Sequence, residues 1–510
     1  MNDWRKMNYL IKSLLLLVFL LFLYSLIGRM PQADDAWLGE HAYWQTKLGY
    51  VKSELMRGIT QQEVYLLCHH KLMTLQGSFL ITVLGFSVFS LKILSLLYFL
   101  IFLLLFYYFT YNKIFDKNQF YLAVLLLVSN TLIFEYSFVF RPEIPLMTLG
   151  FISYMFLSKV LNNNDQRYIL TILSGFFAGL CVSTHLNGII FPIAGFVLLL
   201  WNRKYIKSIV FGFSTIPTIL IYFYDFTSKF NVNYWFYQIN ESPLIDNNHD
   251  LPFGVPVLLK LLTEHMRFFH SPSEISFSVL LIISLIISFK YLKAYKNLIR
   301  YTMLLVLLVS VFSVHKASKY MIVYLPYMII LITLSLNIIF NKNNSDRIIY
   351  KKLNYKKTRS YIFGLTFIYL LINIALDIRI SKGKWTSDYN RNIVQTYIKA
   401  KPEECRIVAP MTFIFNEITR FKSIQSELLY SDMQNSDKTI FKRGFLNCTK
   451  SFNIDYIILS TDCIKKLGMD KISEQELSDN NFRTLYKSQS LMIVENLESA
   501  VISGNLIKKP

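Results

Sequence analysis

Eleven apolar runs constrain this chain more than anything else in it. They fall near 9–28, 91–111, 120–139, 143–160, 168–184, 187–201, 206–225, 275–290, 299–314, 319–340 and 359–377. A hydrocarbon core ~30 Å thick takes about 20 residues of helix to cross. Inside it, backbone polar groups find partners only within a helix or a closed barrel. The expected fold class is an α-helical polytopic membrane protein. With 53% hydrophobic and 17% charged residues, a soluble globular chain is excluded. The first run follows Arg5, Lys6 and Lys12, as a signal peptide would. Its length and the lack of a small-x-small cleavage pattern favour a retained anchor instead.

Lysine and arginine set the orientation. Twenty-one of them fall in or beside the connections on the side of the N-terminus, against Arg141, Lys316 and Lys319 in three short turns opposite. The N-terminus is therefore expected in the cytoplasm and the C-terminus outside, in a cytoplasmic (inner) membrane. The net charge of +20 then faces an anionic inner leaflet, and no nucleic-acid partner is required.

On this plan residues 29–90 form the first outer segment. The apolar stretch 70–90 is expected to lie in the interface, because counting it as a span would invert every later loop. Residues 226–274 form a long outer loop. From about 380 the composition turns polar, and short apolar stretches at 406–410, 455–460 and 490–496 read as strands, with a helix over 390–400. Two domains are expected: a transmembrane domain over 1–379 and a small extracytoplasmic α/β domain over 380–510. Among five cysteines, Cys405 and Cys448 are the better candidates for one outer disulfide.

The stretch PQADDAWLGEHAYWQTKLGYVKSELMRG (31–58) carries the first candidate chemistry. Trp37, Trp44, Leu48, Val51 and Leu55 recur at helical spacing, so a helix lying flat on the membrane is expected, ending at Gly58. Asp34 and Asp35 stand at its start, just outside the first span. An outer-face enzyme has no access to nucleotide sugars, so its donor would be lipid-linked. Transfer from a polyprenyl phosphate has a good leaving group already; it needs a base for the acceptor and positive charge for the phosphate. Asp34 and Asp35 are the best base candidates, since neighbouring carboxylates split their pKa values. Asp35 has a second reading, as a helix cap. Glu40 either supports the site or pairs with Lys47 or Arg57. Glu143 either supplies a second acid or is satisfied by Arg141 in the turn Phe140–Glu143.

For the phosphate, Lys319, Lys316 and His315 with Tyr320 form a cationic cluster, whose bland reading is interfacial snorkelling. His185 with Asn187, and His69 with His70 and Lys71, can bind a headgroup or sugar. Paired histidines without a third ligand are a weak metal signal. No cofactor is required, and a divalent ion is allowed.

The stretch ADDAWLGEHAYW after a first span resembles the first outer loop of the polyprenyl-phosphate-dependent glycosyltransferases of the GT-C fold. It is most similar to the protein O-mannosyltransferase-like family (family 39) and the related lipid A aminoarabinose transferase. The resemblance implies that Asp34 is the catalytic aspartate, with Asp35 as its partner and Glu40 at the family's glutamate. The segment KYMIVYLP is similar to the family's basic-Tyr-x-x-x-Pro element, which implies donor-phosphate contacts from Lys319 and Tyr320. The turn THLNG stands where many relatives have Lys-Gly. The expected function is inverting transfer of a sugar from a polyprenyl-phosphate donor to a hydroxyl or amine of a glycan, lipid or protein. The alternative is a transporter or flippase of a lipid-linked saccharide. Span interiors nearly free of charge, with acids gathered outside, disfavour it.

Overall fold

The computed structural model describes residues 2–162, 168–241, 256–313, 316–340, 355–386, 388–433 and 444–498. His315, Arg167, residues 242–255 of the long loop and the basic residues between 342 and 352 lie outside the described residues. Each of the eleven runs falls on helix. The first eight helices are α1 (Asn2–Leu26), α2 (Ala33–Leu48), α3 (Lys71–Leu84), α4 (Val88–Thr110), α5 (Lys117–Val128), α6 (Thr131–Tyr136), α7 (Glu143–Asn162) and α8 (Ile169–Thr184). The later runs fall on Ile190–Trp201, Tyr205–Ile219, Pro272–Leu292, Lys296–Phe312, Leu325–Phe340 and Tyr355–Lys382.

Among the described residues, six helical segments are long and apolar enough to cross a membrane: Tyr9–Leu26, Val88–Thr110, Glu143–Asn162, Tyr205–Phe223, Pro272–Phe312 and Lys357–Lys382. The fifth takes in two of the runs. The other four runs form shorter apolar helices. Within 70–90, helix α3 has 14 residues, about 21 Å at 1.5 Å per residue. Helix α8 packs on Tyr205–Ile219 through Gly175 and Gly179. A Cβ at either position would come within 2.4 Å of a backbone oxygen, Phe211 O or Thr215 O. Close backbone approach at small residues is how helices associate where lipid supplies no hydrophobic drive.

The described parts of the connections assigned to the outer side meet at one end of the bundle. The α6–α7 turn bonds to α2, His185 stacks on His70, and Asp225 pairs with Lys71. Tyr320 packs on His185, and Trp385 N–H donates to Gly28 O.

The C-terminal domain sits at the same end. Its sheet has the order β2-β1-β3-β5-β4, with β1 (Arg406–Ala409), β2 (Ser423–Ser426), β3 (Tyr456–Ser460), β4 (Phe482–Lys487) and β5 (Leu491–Asn496). Strands β2, β1 and β3 are parallel, and β5 and β4 are antiparallel additions. The three expected strands are present, and Asp388–Tyr397 is the expected helix. The proposed disulfide is not made: Cys405 and Cys448 are buried thiols, one just before β1 and the other in Phe445–Ser451.

Helix α2 corrects the reading of 31–58. It ends at Leu48, where Gly49 takes the left-handed conformation (φ 76°) and its N–H closes on Gln45 O. Nor is its apolar side free to face lipid. Residues from Asp35 to Tyr43 are nearly all buried, in one apolar cluster with Leu91, Leu94, Met411 and Phe415. Gly39 permits this, since a Cβ there would meet Leu91 Cδ1 at 2.6 Å. The helix is a core element between the bundle and the sheet domain. A periodicity of apolar residues is satisfied as well by protein on several sides as by lipid on one.

Candidate active site

The two adjacent aspartates divide into different environments. Asp35 is fully buried; it accepts from Gln32 N (2.8 Å) and Phe140 N (2.6 Å) and pairs with Lys92 at 3.3 Å. Burial pushes its carboxyl up, opposed by Lys92 and the two amides. It both caps α2 and ties that helix to the α6–α7 turn. Asp34 keeps 34% of its side chain exposed and pairs with Arg141 Nη1. One carboxylate is committed to the fold and its neighbour is accessible.

Arg141 is itself buried. Its Nε and Nη2 grip Glu143 at 2.8–3.2 Å, so one guanidinium links Asp34 to Glu143. Pro142 between them suits a helix start, where a missing N–H costs nothing. His70 precedes α3 and His185 precedes a 3-10 turn over Leu186–Ile189. The two imidazoles stack with centroids 4.6 Å apart. Burial lowers both, His70 to about 4, so both are neutral at pH 7. His185 Nδ1 accepts from Asn187 N at 2.9 Å. Lys319 and Tyr320 arrive on the 3-10 segment Ser318–Val323. The Tyr320 ring stands edge-on to His185 at 6.2 Å. Lys319 acts through space on Glu143, His70 and His185. Seven candidates from five distant segments therefore converge: Asp34, His70, Arg141, Glu143, His185, Lys319 and Tyr320.

The others lie apart from this cluster or play a different local part. Lys71 turns away to Asp225, which it meets at 2.7 Å through both carboxylate oxygens, while His69 Nε2 approaches the same group at 2.9 Å. Lys316 pairs with Glu264 at 3.0 Å. Glu40 pairs with neither Lys47 nor Arg57. It accepts instead from Trp44 Nε1, Ser53 Oγ, Glu54 N and Leu55 N, at 2.6–3.2 Å. That fixes the 53–57 turn, which covers the edge of β2 through Ser426 N–Leu55 O, Gln425 Nε2–Arg57 O and Ser423 Oγ–Glu54 Oε2. A Gln at 40 would present an amide donor to four donors. Glu40→Gln is expected to cost about 2 kcal/mol, the scale of hydrogen bonds to a charged acceptor. A lower apparent melting temperature and faster proteolysis within 50–66 are the readouts; unchanged values would contradict the assignment.

Sequence reasoning passed over Arg267. It is fully buried on the one-turn helix His265–Phe268, pairs with Glu264 at 3.1 Å, and lies over the Tyr320 ring at 5.4 Å. The only sequence signal is a basic residue amid the aromatics of MRFFH. Lys92 and Asp377 were likewise hidden inside runs read as apolar. Among the described residues no three His, Cys, Asp or Glu side chains converge to hold a metal ion.

Residues 73–226 match the model of the dolichyl-phosphate-mannose-protein mannosyltransferase family. Over almost its whole length the structure superposes on ArnT from Cupriavidus metallidurans. For the apo state the TM-score is 0.57 at 10% identity, covering 97% of this chain and 99% of that one. The fold is GT-C-like. ArnT bound to undecaprenyl phosphate gives the same score at 11% identity, covering 96% of this chain and 98% of that one. The GT-C-like fold extends to the archaeal oligosaccharyltransferase AglB from Archaeoglobus fulgidus, in complex with an inhibitory peptide and a dolichol-phosphate. There the TM-score is 0.54 at 10% identity, over 90% of this chain and 71% of that one. No curated protein sequence matches the chain. The fold resemblance expected from ADDAWLGEHAYW is thus borne out, for a multi-pass membrane protein with a C-terminal sheet domain.

Proposed function

We propose that this chain is a membrane glycosyltransferase that takes a sugar from a polyprenyl-phosphate donor and passes it, with inversion, to an acceptor hydroxyl or amine. The observation that carries the reading is an accessible carboxylate, Asp34, paired with Arg141, on the same side as Lys319 and Arg267, which both lie over the Tyr320 ring. The family match over 73–226 and the likeness to proteins solved with undecaprenyl phosphate or dolichol-phosphate support the donor class.

In this reading the acceptor oxygen or nitrogen attacks C1 of the sugar on the face opposite the phosphate. The new C1 bond forms as the C1–O–phosphate bond breaks, and the electron pair leaves with the lipid phosphate. Asp34 takes the acceptor proton. Arg141 pairs with Asp34 and orients it, and Lys319 and Arg267 offset the phosphate charge. Glu143 holds Arg141, and the neutral His70–His185 stack forms a wall that adds no cation. The charge asymmetry of the loops supports reading this end of the bundle as the outer face of the cytoplasmic membrane.

Lys319→Ala should raise KM for the lipid-linked donor about 10–100-fold, the equivalent of one charge-assisted hydrogen bond, with a smaller change in kcat. Initial rates against donor concentration in reconstituted vesicles read this out. An unchanged KM would remove Lys319 from the phosphate site.

A further inference from the structure

A cavity of about 310 Å³ lies apart from the Asp34 cluster, where the Tyr9–Leu26 span ends and the Val88–Thr110 span begins. The sheet domain closes it with Trp385 and Phe415. It therefore stands at the level of the membrane surface, and its neighbours Ile27 and Phe89 are exposed apolar side chains. Two cations line it, Arg29 and Lys92, and no acidic side chain does. Both are buried, at 5% and 1% exposure, and both lie over the Phe138 ring, at 5.6 and 5.7 Å. Lys92 Nζ donates to Arg29 O and Met30 O, which keeps the pair together. Asp35 balances Lys92. Arg29 gives its terminal nitrogens to the carbonyls of Phe134 and Glu135 and to Ser25 Oγ, while its Nε has no hydrogen-bond partner. Glu135 and Asp377 act on Arg29 through space but do not line the cavity.

Two adjacent buried cations against aromatic walls, open toward lipid, fit an anionic headgroup carried on acyl chains. We propose that this cavity binds one anionic glycerophospholipid of the surrounding leaflet. The phosphodiester would lie over Arg29 and Lys92, the glycerol against Trp385 and Phe415, and the chains along Phe89. The lipid would then brace the sheet domain against the first two spans. This goes beyond the transfer reaction and does not depend on it.

The test is native mass spectrometry of the full chain in detergent, titrated separately with phosphatidylglycerol, phosphatidylcholine, undecaprenyl phosphate and inorganic phosphate. One phosphatidylglycerol should be retained at least about tenfold more tightly than phosphatidylcholine, with that preference lost in Val88→Trp, which fills the cavity and leaves both cations in place. Equal retention of the two phospholipids, or full retention in a folded Val88→Trp, overturns the proposal. So does displacement by inorganic phosphate or undecaprenyl phosphate at equal concentration. A second measurement needs no filling variant: bromine-labelled phosphatidylglycerol should quench a fluorescence component that is absent from Trp385→Phe. Quenching identical in the two proteins counts against the site.

Discussion

Replacing Asp34 with Asn is expected to lower sugar transfer about 10³-fold, within the usual range for loss of a positioned base, while the protein inserts and melts as the wild type does. The expectation follows from how differently the two aspartates are held. Asp34 is accessible and has Arg141 as its ion partner, so the neutral amide removes the proton acceptor without opening the fold. The same change at Asp35 would instead leave Lys92 buried without its carboxylate. Breaking one side of a buried pair costs about 3–5 kcal/mol, so Asp35→Asn should appear first as lost stability. Transfer assays and melting curves on the two variants separate the roles. Normal turnover by Asp34→Asn would remove the proposed base.

The second large effect is at Arg141. Its guanidinium pairs with both the buried Glu143 carboxylate and Asp34. Arg141→Gln is expected to destabilise the protein by about 3–5 kcal/mol, because the buried Glu143 carboxylate loses the guanidinium that binds both its oxygens. Adding Glu143→Gln should restore much of that stability, since the uncompensated charge is gone. Activity should stay low in the double variant, since Asp34 has lost its orienting cation. A thermal-stability series of wild type, both single variants and the double variant measures the coupling. Additive losses would mean that Arg141 and Glu143 do not act as a unit.

Much of the bundle was legible because lipid imposes one rule on every span: apolar side chains over enough length. The same rule made α2 misleading. Its tryptophans and leucines repeat as they would at an interface, yet Gly39 lets both Leu91 and Phe415 approach. Burial by a domain more than 300 residues away leaves no local mark. Strand β2, sequence SIQS, was missed for a similar reason. Its polar side chains are buried because the 53–57 turn satisfies them.

At the site, the sequence singled out residues by type and by position at one membrane face. That was enough to gather Asp34, Arg141, Glu143 and Lys319. It could not separate them from Lys71 or Lys316, because a buried counter-ion, Asp225 or Glu264, is invisible until the chain folds. Charge near a surface was legible; its commitment to another partner was not.

The central claim is that the Asp34 end of the bundle receives a lipid phosphate. A structure of the protein with undecaprenyl phosphate bound tests it most directly. The account predicts the phosphate between Asp34 and Lys319, contacted by Lys319 or Arg267 and by Tyr320, with the prenyl chain running into the membrane. A phosphate held elsewhere, out of reach of these side chains, would contradict it.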